Sequence, residues 1–227
     1  MTHASADSPT GPSDGDGPVG ESAGPGTPQN HPSRLLLVRH GETEWSKSGQ
    51  HTSSTDLPLT DVGEAAALAL RPFLAELLGP KPPALALASP LRRARRTAEL
   101  AGIAFDVDAD LKEVEYGRYE GITTAEVQRQ DPGWTIWTGA VPDGETALAA
   151  GHRVDRVIER ARAALPGGNV VLFAHGHILR VLTARWLGLP ASEGRLFTLG
   201  TATVSVLDTE HGSPVVRRWN MPATAGI

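Results

Sequence analysis

Two short apolar runs in this sequence lead into histidines, and this repetition restricts the fold more than any other feature. The run LLLV at 35–38 leads into Arg39 and His40, and the run NVVLFA at 169–174 leads into His175. Short apolar runs that end abruptly at polar residues are typical of buried strands. Because ligands bind at the carboxyl ends of strands in open α/β sheets, we expect both histidines to line one site.

Helical patterns alternate with apolar runs along the chain. The pattern LTDVGEAAALALRPFLAELLG predicts a helix capped by Thr60 and ended by Gly79, with Pro72 kinking or dividing it. Further strands are predicted at 84–89 and 103–108 and in a hairpin of TATVSVLD and PVVRRWN, and further helices in PLRRARRTAELAG, TTAEVQRQD, GETALAAGHRVDRVIERARAALPGG and ILRVLTARWLG. This alternation predicts an α/β fold with a mostly parallel central sheet and helices on both faces.

Composition divides the chain into two parts. Residues 1–33 are rich in Pro, Gly, Ser and Asp and have almost no large apolar side chains, so we interpret them as a disordered tail. A docking role is disfavoured because the tail has no amphipathic pattern. Residues 34–227 are then expected to form one folded domain, a length that supports a substantial core.

Composition also excludes several classes of function. The chain has 227 residues, a formal net charge of -5 and no cysteine, which excludes disulfides, thiolate catalysis and Cys-based metal sites. No apolar run reaches the roughly 18 residues of a membrane helix, and no secretory signal is apparent, so the cytoplasm is the expected location. The mild acidity argues against nucleic acid as a partner. Nothing in the sequence indicates an oligomeric state.

The residues at the predicted strand ends match a phosphate group. Arg39 and Arg93 supply two guanidinium groups, which donate bidentate hydrogen bonds and keep their charge. A histidine held neutral at one nitrogen, such as His40 or His175, can attack phosphorus with the other. The helix that begins at Gly176 presents backbone N–H groups and a positive dipole end, so we expect an anion there.

Five motifs together resemble a known family. RHGET at 39–43, SPLRRARRTA at 89–98, LKEVEYGRYEG at 111–121, GET at 144–146 and AHGH at 174–177 are similar to the motifs of the histidine phosphatase superfamily, in the family's order. The resemblance implies the phosphoglycerate-mutase-like fold. The sequence around these motifs is similar to the sedoheptulose-1,7-bisphosphatase branch and to small acid phosphatases. This similarity implies a sugar phosphate or sugar bisphosphate as the small phosphorylated substrate.

The resemblance also implies a role for each matching residue. His40 matches the nucleophile that becomes phosphohistidine, and Glu113 matches the proton donor and later general base. The remaining phosphate-pocket residues implied are Arg39, Arg93 and His175. The substrate-binding residues implied or expected at the pocket are Ser46, Thr52, Ser53, Tyr116 and Gly176. No metal and no other cofactor is implied.

Some of these positions depart from the family pattern or admit another interpretation. Ser53 stands where relatives often have glycine, and Ser46 where many mutases have asparagine, so the leaving-group side is expected to differ. Glu115 and Glu120 lie close to Glu113 in sequence, and any of the three could simply be solvated. Tyr116 could serve either packing or substrate contact.

Other motifs are better explained without function. Because Cys is absent and carboxylates are not spaced nearby, a metal pair formed by His175 and His177 is disfavoured. Arg92, Arg95 and Arg96 share one helix face and are interpreted as solvated surface rather than a nucleic-acid patch. Trp134 and Trp137 are expected to pack in the core or in a lid.

Three functions compete. A phosphomonoesterase would hydrolyse the phosphohistidine, whereas a bisphosphoglycerate-dependent mutase would return the phosphoryl group to a bound product. Mutases of the family carry a longer insertion between the positions of Glu113 and His175, so we favour hydrolysis. A phospho-ligand-binding module without catalysis would typically lack His40, Arg39 or Glu113, and all three are present.

Overall fold

The computed structural model describes residues 33–223, so the predicted tail lies, except for Ser33, outside the described residues. The α/β fold is confirmed. The strands are β1 (Leu35–Arg39), β2 (Leu85–Ala88), β3 (Asp106–Val107), β4 (Val170–Ala174), β5 (Thr203–Glu210) and β6 (Ser213–Pro222). The α-helices are α1 (Glu44–Ser48), α2 (Asp61–Leu78), α3 (Arg92–Leu100), α4 (Thr124–Gln130), α5 (Ala147–Ala164) and α6 (Gly176–Trp186). Short 3₁₀ turns connect several of them.

The six strands form one sheet in the order β3-β2-β4-β1-β5-β6. The first four are parallel to one another, and the predicted hairpin β5–β6 adds two antiparallel strands beside β1. In the register of β1 and β4, Arg39 pairs with Ala174, so the next residues, His40 and His175, leave the sheet side by side. The sheet therefore places the two histidines together, as the sequence predicted.

Both faces of the sheet are covered by helices because the central strands are apolar on both sides. Leu35 and Leu37 of β1 pack in one core cluster with residues of α5 and α6. Leu36 and Val38, which point to the opposite face, pack with residues of α2 and α3. Burial of each such side chain contributes roughly 1.5–3 kcal/mol, and this double-sided core fixes the strand ends that carry the site.

Pro72 does not divide helix α2, so that part of the prediction was wrong. The helix runs without a break through Pro72, from its N-cap Thr60, whose side chain accepts a hydrogen bond from the N–H of Gly63. Proline removes the N–H that would bond to the carbonyl of Leu68. Both residues are exposed, so water can bond to that carbonyl and the helix continues.

The third predicted strand is much shorter than expected. The prediction covered 103–108, but only Asp106 and Val107 pair with β2. Ile103 and Phe105 pack instead against the core on the α2 and α3 side, which explains their apolar character without strand pairing. Helix α1 was not predicted, because its five residues carry no apolar periodicity.

None of the helices within residues 33–223 combines the length and the apolar character needed to cross a lipid bilayer.

Candidate active site

The candidate site lies where β1, β2 and β4 end. The rings of His40 and His175 are 5.1 Å apart between centroids and inclined by 59°. Ser89 follows β2, and its N–H donates to the carbonyl of Phe173, which brings a hydroxyl group to the same edge. Arg93 stands in the first turn of α3, directly after that strand end. The structure thus brings together the predicted histidines and Arg93.

The carbonyl of Gly41 sets the protonation of His40. The Nδ1 atom of His40 lies 2.7 Å from that oxygen, and since a carbonyl only accepts, Nδ1 carries the proton. The Nε2 atom then holds a free lone pair. Burial lowers the pKa of His40 well below its usual value, and the nearby charges of Arg93 and Arg39 lower it further. His40 is therefore neutral, with a defined nucleophilic nitrogen.

Gly41 is required at its position because the backbone is close to α2. A Cβ atom built on Gly41 would lie 2.5 Å from the carbonyl oxygen of Gly63, a backbone atom that cannot rotate away. The N–H of Gly41 donates to the hydroxyl of Thr97, 3.0 Å away, which accepts while donating to the carbonyl of Arg93. These contacts fix the turn that carries His40 and its carbonyl partner.

His175 has the opposite protonation pattern. The Nε atom of Arg93 donates to its Nδ1 at 3.1 Å, so Nδ1 accepts and Nε2 must carry the proton. Nε2 lies 2.7 Å from the hydroxyl of Ser89, which accepts. Burial lowers the pKa of His175 well below its usual value, with Arg93 as the next cause. His175 is therefore neutral and held at both nitrogens.

Arg93 is 1% exposed, and carbonyl groups replace the water around its guanidinium. Its Nη1 donates to the carbonyl of Thr55 at 3.1 Å. Its Nη2 donates to the carbonyls of Thr52 and Ser53 at 3.1 and 3.3 Å. Burial lowers the pKa of Arg93, but an arginine stays protonated at physiological pH. A fixed positive charge therefore lies beside both histidines.

Arg39 has hydrogen-bonding capacity left over. Its Nη1 donates to the carbonyl of Leu199, while its buried Nε has no partner within residues 33–223. The guanidinium lies against the backbone of Gly176, since a Cβ there would be 3.3 Å from its Nε and Cζ atoms. A buried N–H without an acceptor is costly, so this donor of Arg39 is unsatisfied at the edge of the sheet where the histidines lie.

A protein carboxylate occupies the start of α6, where we expected the substrate anion. Glu113, 6% exposed, accepts from the N–H of His177 at 3.0 Å and from the N–H of Ile178 at 2.8 Å. The helix dipole favours a negative charge at this position. These two amides are therefore bound to Glu113 rather than open to a substrate anion. Gly176, the residue predicted to bind substrate at this helix start, directly precedes His177 and stays a prediction.

The predicted pocket-mouth residues use their side chains within the protein. Ser46 forms a reciprocal capping box with Thr43 at the start of α1. The hydroxyl of Thr52 donates to the carbonyl of Gln50, and the hydroxyl of Ser53 bonds to Glu120. Thr52 and Ser53 reach the site through their carbonyl groups, which bind Arg93, rather than through their hydroxyls.

Glu120 is therefore not simply solvated. It accepts from the N–H groups of Ser53 and Thr55 at 2.9 to 3.0 Å, as well as from the Ser53 hydroxyl. Burial alone would raise the pKa of Glu120, but the hydrogen bonds from Ser53 and Thr55 outweigh it and lower the pKa. Glu115 is exposed, so Glu113 is the carboxylate of the three that lies next to α6.

Aromatic residues form a wall beside Glu113. The hydroxyl of Tyr116 lies 2.6 Å from Nδ1 of His177, and its ring stacks on His51 with centroids 4.7 Å apart. Burial raises the pKa of Tyr116 well above its usual value. Trp137 lies 5.1 Å from His177 between ring centroids. Trp134 is 2% exposed and packs behind His51, as expected for a packing residue.

Sequence reasoning did not assign Ser89, Thr97 or His177 to the site. Ser89 ended a predicted strand, and that position was a usable signal. The other two were not recognisable because Gly41, which donates to Thr97, and Tyr116, which contacts His177, are distant from them in sequence. Within residues 33–223, no three His, Asp or Glu side chains are grouped closely enough to hold a metal ion.

Arg92, Arg95 and Arg96 are exposed, and Arg96 pairs with Glu64 and Glu99.

Comparison with known proteins agrees with this geometry. Residues 35–222 match the model of the histidine phosphatase superfamily, branch 1. An acid phosphatase of Mycobacterium tuberculosis is 39% identical over 185 residues, covering 81% of this chain and 89% of the relative. A sedoheptulose 1,7-bisphosphatase of Saccharomyces cerevisiae is also 39% identical, covering 69% of this chain and 68% of the relative.

A solved structure shares the fold. The structure of an open reading frame from Mycobacterium tuberculosis superposes with a TM-score of 0.81 at 36% identity, covering 84% of this chain and 98% of that chain. The family match spans nearly all of the described residues, and the two relatives given above are phosphatases by name. Other relatives, at 29% identity, are named probable phosphoglycerate mutases of Escherichia coli and Shigella boydii. The chain therefore belongs to branch 1 of the histidine phosphatase superfamily and is an enzyme of that family.

Proposed function

We propose that this enzyme is a metal-independent phosphomonoesterase that hydrolyses a small phosphorylated metabolite, a sugar phosphate or sugar bisphosphate, through a phosphohistidine at His40. The observation that carries the proposal is the pairing of His40 Nδ1 with the carbonyl of Gly41. It leaves Nε2 as a neutral nucleophile in a buried position flanked by two guanidinium groups. The sugar is suggested by the sedoheptulose 1,7-bisphosphatase relative.

In the first step, Nε2 of His40 attacks phosphorus in line with the leaving oxygen. The N–P bond forms while the bond between phosphorus and the substrate oxygen breaks, and both electrons of that bond stay with the oxygen. Arg39 and Arg93 stabilise the negative charge on the three equatorial oxygens. The proton on Nδ1 and the carbonyl of Gly41 stabilise the positive charge that develops on the ring.

Glu113 is the proposed proton donor to the leaving oxygen. To act, it must arrive at the reaction protonated and give up one of its bonds to the amides of His177 and Ile178. After the alcohol departs, the same carboxylate takes a proton from water, the oxygen of which attacks phosphorus. The N–P bond breaks, its electrons return to Nε2, and inorganic phosphate leaves.

Arginines take the place that metal ions hold in many phosphatases. The guanidinium groups of Arg39 and Arg93 supply the positive charge that stabilises a phosphoryl group, so the proposed steps need no Lewis acid. Treatment with EDTA is expected to leave turnover unchanged. Loss of turnover in EDTA that a divalent ion restores would contradict metal independence.

Hydrolysis and transfer to a second substrate share the first step. We propose hydrolysis because the stretch between Glu113 and His175 holds α4, α5, short turns and one irregular connection, 131–146, which is shorter than the insertion that the family resemblance implies for a mutase. Water therefore reaches the intermediate. A mutase would instead convert 3-phosphoglycerate to 2-phosphoglycerate when bisphosphoglycerate is supplied.

The test is phosphate release from a panel of sugar phosphates, sugar bisphosphates and 3-phosphoglycerate, with wild type and His40→Gln in parallel. We expect release from one class well above the others and loss of at least about a thousandfold in the variant, since the nucleophile carries the reaction. Interconversion of phosphoglycerates without net phosphate release would establish the mutase instead.

A further inference from the structure

We propose that Arg180 binds a second anionic group of the substrate, so that the preferred substrates carry two oxyanions separated by several carbon atoms. The proposal rests on the phosphatase function above and narrows the class of its substrates. It assigns to α6 a specificity role in addition to its contacts with Glu113.

The position of Glu113 defines where the leaving group lies. The proton donor must be beside the leaving oxygen, and Glu113 binds the N–H of His177 at 3.0 Å. From His177 the wall continues to Trp137, with ring centroids 5.1 Å apart. The guanidinium of Arg180 then lies 4.5 Å from the centroid of Trp137. The wall therefore leads from the leaving oxygen to Arg180.

The charge of Arg180 is not neutralised by the protein. No carboxylate within residues 33–223 forms an ion pair with it, whereas Arg185, farther along the same helix, pairs with Asp155 at 2.9 Å. The Nε atom of Arg180 donates to the carbonyl of Gly194 at 3.1 Å. Its two terminal nitrogens have no hydrogen-bond acceptor among the described residues, and they are the atoms that would bind an oxyanion.

The side chain is held in place before any ligand arrives. Trp137 packs against both partners of the Arg180–Gly194 hydrogen bond: its ring lies 4.5 Å from the guanidinium, and a Cβ on Gly194 would be 2.5 Å from the indole. Burial lowers the pKa of Arg180, and the charge of Glu113 opposes this, which indicates that the two groups share one electrostatic environment. A half-buried, oriented guanidinium that remains charged gives up little rotamer entropy on binding.

The position of Arg180 along the wall sets the size of the ligand. The proposal places the phosphoryl group beside His40 and Arg39. The second anion, carried by the leaving group, then lies against the terminal nitrogens of Arg180, past His177 and Trp137. A sugar bisphosphate or a phosphorylated carboxylic acid places its second anion several bonds away, which matches this separation.

The test compares kcat/KM for fructose 1,6-bisphosphate and 3-phosphoglycerate with kcat/KM for p-nitrophenyl phosphate, which has no second anion. For each of the two substrates with a second anion, the ratio is its kcat/KM divided by that for p-nitrophenyl phosphate. For Arg180→Gln we expect this ratio to fall roughly ten- to a hundredfold, mainly through KM, as expected for one lost charge-assisted hydrogen bond. Arg180→Lys should restore part of the ratio. A fall for the bisphosphate identifies a phosphate as the second group, and a fall for 3-phosphoglycerate alone identifies a carboxylate.

Arg162 offers a matched control, because its guanidinium also stacks over an indole, that of Trp186, at 5.0 Å. Arg162→Gln should leave both ratios at their wild-type values. Ratios that are equal in wild type and Arg180→Gln would overturn the second-anion site while leaving the phosphatase proposal intact. Failure of the wild type to hydrolyse p-nitrophenyl phosphate or any panel compound would count against the phosphatase proposal itself.

Discussion

At the scale of single residues, hydrogen-bond partners decide which nitrogen of each histidine can react. The carbonyl of Gly41 keeps the proton of His40 on Nδ1 and leaves Nε2 free. The guanidinium of Arg93 and the hydroxyl of Ser89 occupy both nitrogens of His175. In the proposed mechanism, the same side chain thus serves as the nucleophile in one position and as a fixed neutral neighbour in the other, because its hydrogen-bond partners differ.

Ser89→Ala tests this division of roles. The substitution leaves the buried Nε2–H of His175 without an acceptor, which costs roughly 1–3 kcal/mol. We expect the free energy of unfolding in urea to fall by that amount and kcat to fall with it, because His175 loses its orientation. Ser48→Ala, at an exposed serine, is the control, and a Ser89→Ala protein that matches it in both measurements would contradict this account.

The histidines and arginines of the site were predictable from sequence. Each stands at the end of a strand or in the first turn of the helix that follows a strand. Their protonation was not predictable, since it depends on atoms such as the carbonyl of Gly41 and the hydroxyl of Ser89. Glu113 was identified through the family motif rather than by physical reasoning. Its bonds to the N–H groups of His177 and Ile178 depend on contacts between residues more than sixty positions apart.

At the scale of elements, Glu120 holds the loop that in turn holds Arg93. Its carboxylate accepts from the N–H groups of Ser53 and Thr55. The carbonyl groups of the same loop accept from the guanidinium of Arg93. A carboxylate outside the pocket therefore positions a cation inside it, and Glu120 acts as a positioning residue.

Glu120→Gln should weaken this restraint without removing the side chain. An amide nitrogen cannot accept from the loop N–H groups, so at least one charge-assisted bond is lost, about 1.5–3 kcal/mol. We expect kcat/KM for p-nitrophenyl phosphate to fall roughly tenfold or more, and inhibition by orthovanadate to weaken similarly, because Arg93 is no longer fixed.

Glu115→Gln is the matched control, since Glu115 is exposed and lies in the same segment. It should retain wild-type kinetics and vanadate inhibition. Equal effects of the two substitutions would show that the restraint by Glu120 does not matter for the site.

Elements with their own periodicity were the predictable ones. The long helices α2 and α5 and the strands β1 and β4 were predicted because each carries enough apolar residues to define a buried face. Helix α1, by contrast, is fixed by its capping box and not by an apolar pattern. The 103–108 run was apolar enough for a strand, yet most of it does not pair with the sheet. Its apolar side chains pack against the core instead, which the sequence pattern cannot indicate.

At the scale of the whole molecule, the histidines of the site make the free energy of unfolding smaller at acid pH. Burial lowers the pKa values of His40, His175 and His177 well below the value of about 6.5 for a free histidine. Below pH 6.5 the unfolded chain therefore binds protons at these positions that the folded chain does not. Stability contributed by the neutral histidines is complete above that pH and is lost as the pH falls through it toward the folded pKa values.

Urea unfolding between pH 7.5 and pH 5.5 measures this effect. We expect the free energy of unfolding to decrease as the pH falls, and to decrease less in His177→Gln, which lacks one of the three groups. A free energy of unfolding that stays constant or rises over this range would contradict the buried neutral state of the histidines.

The central claim is that the phosphoryl group passes through Nε2 of His40. The most direct test is a millisecond quench in base after mixing with p-nitrophenyl phosphate, followed by digestion and mass spectrometry of the peptide that contains residues 39–43. Because p-nitrophenolate is a good leaving group, Glu113→Gln should form the intermediate and hydrolyse it slowly, which raises its amount. We predict one acid-labile phosphoryl group on His40 and none in His40→Gln. A phosphoryl group on another residue, or turnover by His40→Gln at the wild-type rate, would contradict the account.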